Sequence, residues 1–232
     1  MKKIGFIGAF DKTDLILYIA RIIAEMNKRV LVIDTTITQK AKYVVPSISP
    51  SQTYFTEYEK VDVAVGFHTR DRMMGYLGLD DNVELDYDYV LLDIDSYASF
   101  ESFEMENADI NYFVTSFDLY SLKRGLEILS GLSEPVKMYR VLYTKYASKA
   151  EDEYLDFLSN NYSVEWDEER IYFPFELGDQ SIIIENQRVA KIKIKNLSQQ
   201  YRENLFAIVG HIAGDISSSE LRKIVKSIEK GV

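Results

Sequence analysis

Residues 3–14 read Lys3-Ile4-Gly5-Phe6-Ile7-Gly8-Ala9-Phe10-Asp11-Lys12-Thr13-Asp14, and their order decides the fold. Lys3 to Ile7 is a short apolar run, the pattern of a buried strand. A helix is expected from about Lys12 to Asn27, because Leu15, Ile16, Tyr18, Ile19, Ile22, Ile23 and Met26 recur at helical spacing. The turn from Gly8 to Thr13 therefore joins a strand to a helix. In open α/β sheets a ligand sits at the carboxyl ends of the strands. Backbone N–H groups at a helix N-terminus there favour a phosphate. Lys12 can supply a cation for phosphates, and Thr13 a hydroxyl for Mg²⁺. The turn is placed as a phosphate loop. Its chemistry is altered, because Asp11 stands where a full loop has the glycine before the lysine. A carboxylate there repels phosphate at short range. The competing reading has Asp11 capping the first helix and Lys12 solvated.

Outward from this turn, Val30-Leu31-Val32-Ile33 ends in Asp34, and Tyr89-Val90-Leu91-Leu92 ends in Asp93. Continuous apolar runs of this length suit strands covered on both faces. Val61 to Val65 alternates, as a peripheral strand does. Further strands are expected at Asn111–Thr115, Met138–Tyr143 and Arg170–Phe173. Helices are expected at Asp118–Ser130, Lys149–Leu158 and Leu197–Ile212. Strands alternating with helices predict an α/β three-layer sandwich with a mainly parallel sheet. No repeat or Gly/Ser linker divides it, so residues 1–214 read as one domain and 215–232 as an amphipathic C-terminal helix or tail. Asp93 and Asp95 lie two apart and face one side of an extended chain. With Asp34 on a neighbouring strand they could hold Mg²⁺; otherwise one caps the next turn and the other is solvated. Lys191, Lys193 and Lys195 alternate with Ile192 and Ile194, the pattern of a lysine-guarded edge strand.

Composition narrows the function. The 232 residues contain no cysteine, which excludes disulfides, a thiol nucleophile and Cys-ligated zinc. Two histidines, His68 and His211, make His-based triads and His-rich metal sites poor readings. Lys and Arg number 27 against 37 Asp and Glu, a net charge of −10, which disfavours nucleic acid as a partner. No apolar run is long enough to span a membrane, and Met1 to Ile7 is too short for a secretory signal. The expectation is a cytoplasmic protein. The tail places Leu221, Ile224, Val225 and Ile228 at helical spacing, with Arg222, Lys223, Lys226 and Lys230 mostly elsewhere on the wheel. That pattern suits packing on the domain or weak contact with a membrane surface.

The ordered set of segments resembles the ParA/MinD group of deviant Walker-A ATPases, and within it the CpaE/TadZ-like branch. Lys28 to Thr36 is similar to the family's second strand, and Tyr87 to Asp95 to its Walker B strand. Ala108 to Thr115 with Leu119 to Gly125, and Tyr172 to Glu176, resemble later family elements. The resemblance implies a P-loop fold and ATP or ADP with Mg²⁺ as cofactor. Gly8, Ala9, Asp11, Lys12 and Thr13 would then face the nucleotide. Thr13 and Asp93 would hold the metal, and Asp34 would position catalytic water. The sequence departs from the family motif KGGxGK[ST] at Ile7, Ala9 and Asp11. The family's adenine-reading Asn is absent from Tyr143-Thr144-Lys145-Tyr146, and the Asp-Pro pair is absent after Asp34.

The implied function is a ParA/MinD-like protein that hydrolyses ATP weakly or not at all. It would position or scaffold a larger assembly, such as a pilus, secretion or conjugation apparatus, through protein partners. The alternatives are a working ATPase switch that dimerises on nucleotide, and a sensor that binds without hydrolysis. A nucleotide-independent homodimer anchored near Phe10 is expected if that ring is exposed. If Phe10 instead folds back into the nucleotide pocket, a monomer is expected.

Overall fold

The computed structural model describes residues 1–47, 52–80, 83–145, 148–214 and 216–230. Tyr146 and the 214/215 domain boundary expected above touch residues outside that set. Eight strands are described: β1 (Lys2–Ile7), β2 (Val30–Asp34), β3 (Tyr54–Tyr58), β4 (Val61–Val65), β5 (Tyr89–Ile94), β6 (Ile110–Ser116), β7 (Val136–Thr144) and β8 (Val164–Pro174). They form one sheet in the order β3-β4-β2-β5-β1-β6-β7-β8. All neighbours are parallel except the β3–β4 hairpin. The α/β three-layer arrangement holds.

Helices cover both faces. One face carries α1 (Thr13–Ala24), α8 (Gln199–Ala213) and α9 (Ser218–Lys230). The other is packed by residues of α3 (Arg70–Leu77), α4 (Tyr97–Ser102), α5 (Leu119–Leu129) and α6 (Lys149–Ser159). Two shorter or more exposed helices, α2 (Ala41–Val44) and α7 (Leu177–Val189), follow β2 and β8. The two apolar cores follow from strand alternation. Val30 and Val32 enter the α1-side core, whereas Leu31 and Ile33 enter the opposite one. Helix α1 is buried from Leu15 to Ala24, because it lies against β2, β4 and β5 with α8 and α9 also packed on it.

Three expectations need correction. Val61–Val65, expected as a peripheral strand, lies one strand in from the edge, because β3, not among the expected strands, pairs outside it. Lys191–Lys195 is not a strand. Ile192 and Ile194 are buried in the α1-side core, but the segment joins no ladder. Alternation there reports one buried side of an extended loop. The strand expected at Arg170–Phe173 runs the full length of β8.

The tail helix packs on the domain. Leu221, Val225 and Ile228 are buried in the α1-side core. Glu229 Oε1 accepts from the backbone N–H groups of Ile194 and Lys195 at 3.0 and 2.9 Å, and Ser227 Oγ donates to Glu25 at 2.8 Å.

Candidate functional site

A pocket of about 490 Å³ opens at the carboxyl ends of β1, β2 and β5. The turn from Gly8 to Lys12 forms one wall. Gly8 has φ +145°, and a Cβ there would lie 2.2 Å from the Val114 carbonyl oxygen. Glycine at this position is required by the close approach of the turn to β6. Ala9 is half-buried and also lines the pocket.

Parity places the carboxylates. Asp34 and Asp93 follow Val32 and Leu91 by two residues and share their face, the one covered by α1. They are direct partners in the β2–β5 register. The N-terminus of α1 brings Lys12 and Thr13 to them. The Lys12 ammonium is buried, 2.7 Å from Asp93 Oδ1, and donates to the Gly8 carbonyl at 2.8 Å. Thr13 Oγ1 donates to Asp93 Oδ2 at 3.0 Å. Burial pushes the Asp93 carboxyl up to about 6; Lys12 opposes this and the nearby Asp34 charge adds to it. Lys12 is therefore not the solvated side chain of the competing reading.

Asp34 is committed to the chain that follows it. Its Oδ1 accepts from Thr36 N at 2.9 Å and Thr36 Oγ1 at 2.6 Å, and its Oδ2 from Ala41 N at 3.0 Å. Burial raises its pKa against these bonds. Asp95 accepts from Ile37 N at 2.9 Å, so it anchors the same loop from β5.

Asp11 turns back onto the helix. Its Oδ1 accepts from Thr13 N at 3.3 Å, and its Oδ2 lies 2.5 Å from Lys40 Nζ. Lys40 also lies 2.6 Å from Asp14 Oδ2. Burial works against the Lys40 charge, but Asp14 and Asp11 outweigh it and raise its pKa. The Thr13 N–H is a first-turn donor of the kind that holds a phosphate at a helix N-terminus. Here the chain's own carboxylate takes it.

Phe10 is half-buried, with its ring 4.7 Å from Tyr143 and 5.9 Å from Phe175. It is folded onto the ends of β7 and β8 and is not an exposed anchor. The exposed apolar side chains on the pocket rim are Ile37, Tyr43 and Tyr120. Sequence reasoning missed these and also missed Lys40 and Arg124, which line the pocket. Tyr120 and Arg124 lie in the Leu119–Gly125 segment of the resemblance, but no motif marks Ile37, Lys40 or Tyr43; the topology brings all five beside Lys12.

In this structure the Asp11 carboxylate and the Lys12–Asp93 pair engage the groups that a magnesium nucleotide would use. Its phosphates would have to displace the Asp11 carboxylate and draw Lys12 away from Asp93. Among the described residues, no group of three or more His, Asp or Glu side chains is arranged to hold a metal ion.

Comparison with solved structures places this geometry in a known architecture. A ParA family ATPase from Chlorobium tepidum aligns with a TM-score of 0.59 at 14% identity, over 88% of this chain and 96% of that one. A chain of the MinC:MinD cell division protein complex from Aquifex aeolicus gives 0.59 at 11%, over 94% of this chain and 98% of that one. MinD with Mg-ADP from Pyrococcus horikoshii gives 0.54 at 15%, over 92% and 97%. The fold is that of the ParA and MinD ATPases. At these identities the likeness speaks for the fold alone. No family model and no curated protein matches the chain.

Proposed function

We propose that this chain is a ParA/MinD-like protein of the CpaE/TadZ-like kind, with a degenerate phosphate loop, that positions or scaffolds a larger assembly. A pilus, secretion or conjugation apparatus in the cytoplasm is the setting this reading favours. One observation carries it: the Asp11 carboxylate accepts from the Thr13 N–H where a phosphate would bind. The Lys12–Asp93 ion pair supports it, because the phosphate-binding cation is already neutralised. We further propose a homodimer through the pocket face. Its anchors are Ile37, Tyr43 and Tyr120, which are 66%, 80% and 71% exposed, in place of the folded-back Phe10. Such exposed side chains around a cleft suit an interface core. The apolar face of α9 is committed to the domain, so membrane contact through it would first require the helix to leave its place.

A second reading keeps ATP or ADP with Mg²⁺ as ligand. It is favoured by the convergence of Lys12, Thr13 and Asp93 on one point, with Asp34 beside Asp93. In that reading Lys12 meets the phosphates, Thr13 and Asp93 hold the metal, and Asp34 orients water. A phosphate-release assay separates the two. Turnover near background, unchanged by Lys12→Ala, is expected. Turnover clearly above background that Lys12→Ala abolishes, in a folded variant, would establish the second.

A further inference from the structure

On the face opposite the sheet, α8 and α9 leave a groove of about 680 Å³ between them. Its rim carries the cations Lys195, Arg202, Arg222 and Lys226. This is a local excess of positive charge on a chain whose net charge is −10. The two carboxylates in the groove are already engaged. Glu229 accepts from two backbone N–H groups at the end of the 191–195 loop. Glu203 accepts from Gln199 Nε2 at 2.8 Å and lies 3.9 Å from Arg222. Among the described residues nothing pairs with the ammonium groups of Lys195 or Lys226. The floor is apolar and recessed, made by Phe206 and Val225, which are 7% and 6% exposed.

We infer that this groove docks an acidic amphipathic segment of a partner protein, with one apolar side chain on the Phe206–Val225 floor and carboxylates against the cationic rim. Charge complementarity selects the acidic partner. The recessed floor selects a protein segment over a bilayer. Insertion into lipid needs apolar side chains that protrude, and the rim here offers only charged and polar ones. A helix laid in a groove between two helices meets both requirements. The groove lies away from the pocket described above and shares no lining residue with it. The inference does not depend on nucleotide being absent.

The test uses the full chain and a labelled probe peptide of about twelve residues, built from Glu, Ala and Leu with leucines at helical spacing. A counterpart carries Lys for every Glu. Fluorescence anisotropy should show the acidic peptide binding at least about tenfold more tightly than the basic one, and more weakly as salt rises. The double variant Lys195→Glu/Lys226→Glu should cut that affinity at least about tenfold, with Arg222→Glu acting in the same direction. Both changes lie at exposed positions, and circular dichroism checks that the variants fold. Equal binding of the two peptides, binding of neither, or binding unaffected by charge reversal overturns the inference. Two parallel measurements also overturn it. One is cosedimentation with phosphatidylserine-containing vesicles that the double variant loses, which assigns the groove to a lipid surface. The other is self-association in sedimentation velocity that the double variant abolishes, which assigns it to a second copy.

Discussion

Two walls of the same pocket tell different stories. The strand-end wall, with Asp34 on β2 and Asp93 on β5, keeps the carboxylate pair that the resemblance implies, side by side in register. The turn wall, Gly8 to Lys12, carries Asp11 immediately before Lys12, with its carboxylate on the Thr13 N–H and on Lys40. The first wall is fixed by the sheet, because strand parity and register decide where its side chains point. The second is a surface turn, free to change without moving the sheet. Strand parity thus fixes one wall of the pocket, while the residues of the turn set the charge of the other.

The largest effect should come from breaking the link between the walls. Lys12→Met leaves Asp93 buried without its cation and should cost about 3–5 kcal/mol in urea unfolding. Lys12→Met/Asp93→Leu should recover much of that loss, since an apolar pair replaces a buried ion pair at little cost. If Lys12→Met is neutral, the two walls are not coupled.

The next effect is pH dependence. Burial raises the folded pKa of Asp93 from 3.8 to about 6, so between these values the folded state holds a proton that the unfolded state has lost. Stability from this group is therefore present below about pH 4 and declines as pH rises toward 6. Measured against Asp93→Asn, wild-type stability should fall across that window by on the order of 1–3 kcal/mol. A difference that stays flat, or rises with pH, would show that Asp93 is not held as described.

The smallest effect on stability concerns the rim. Tyr120→Ser and Ile37→Ser alter exposed side chains and should change stability by no more than about 0.5 kcal/mol. Sedimentation velocity should nonetheless show dimer giving way to monomer. Wild-type protein that is already monomeric at tens of micromolar would remove the pocket-face dimer from the account.

Much of the frame was legible because its signals are strong. β2 and β5 are continuous apolar runs, which only strands covered on both faces support. β3 escaped notice because Tyr54-Phe55-Thr56-Glu57-Tyr58 mixes polar and apolar residues without clean alternation. Helix α7 escaped because it is largely exposed and buries only Asp179 and Asn186 fully, so it has no apolar stripe. Lys191–Lys195 misled because alternation records a buried side, not a hydrogen-bonded ladder. At the site, Lys12, Thr13, Asp34 and Asp93 stood out by position in the chain. Lys40 did not, because its pairing with Asp11 and Asp14 spans 29 and 26 residues and exists only once the β2–α2 loop folds over α1. The direction of Phe10 was equally hidden, since the rings it packs against, Tyr143 and Phe175, lie on a distant strand and loop.

The central claim is that the Asp11 carboxylate fills the phosphate position. Calorimetric titration of Mg-ADP and Mg-ATP into wild type and Asp11→Gly tests it directly. Asp11→Gly restores the residue that the phosphate loop has before its lysine, and should lose only roughly a few tenths of a kcal/mol with the helix-end bond. Wild type should show no binding below about 100 μM ligand, and Asp11→Gly should bind at least about tenfold more tightly. Low-micromolar binding by wild type that Asp11→Gly leaves unchanged would contradict the account.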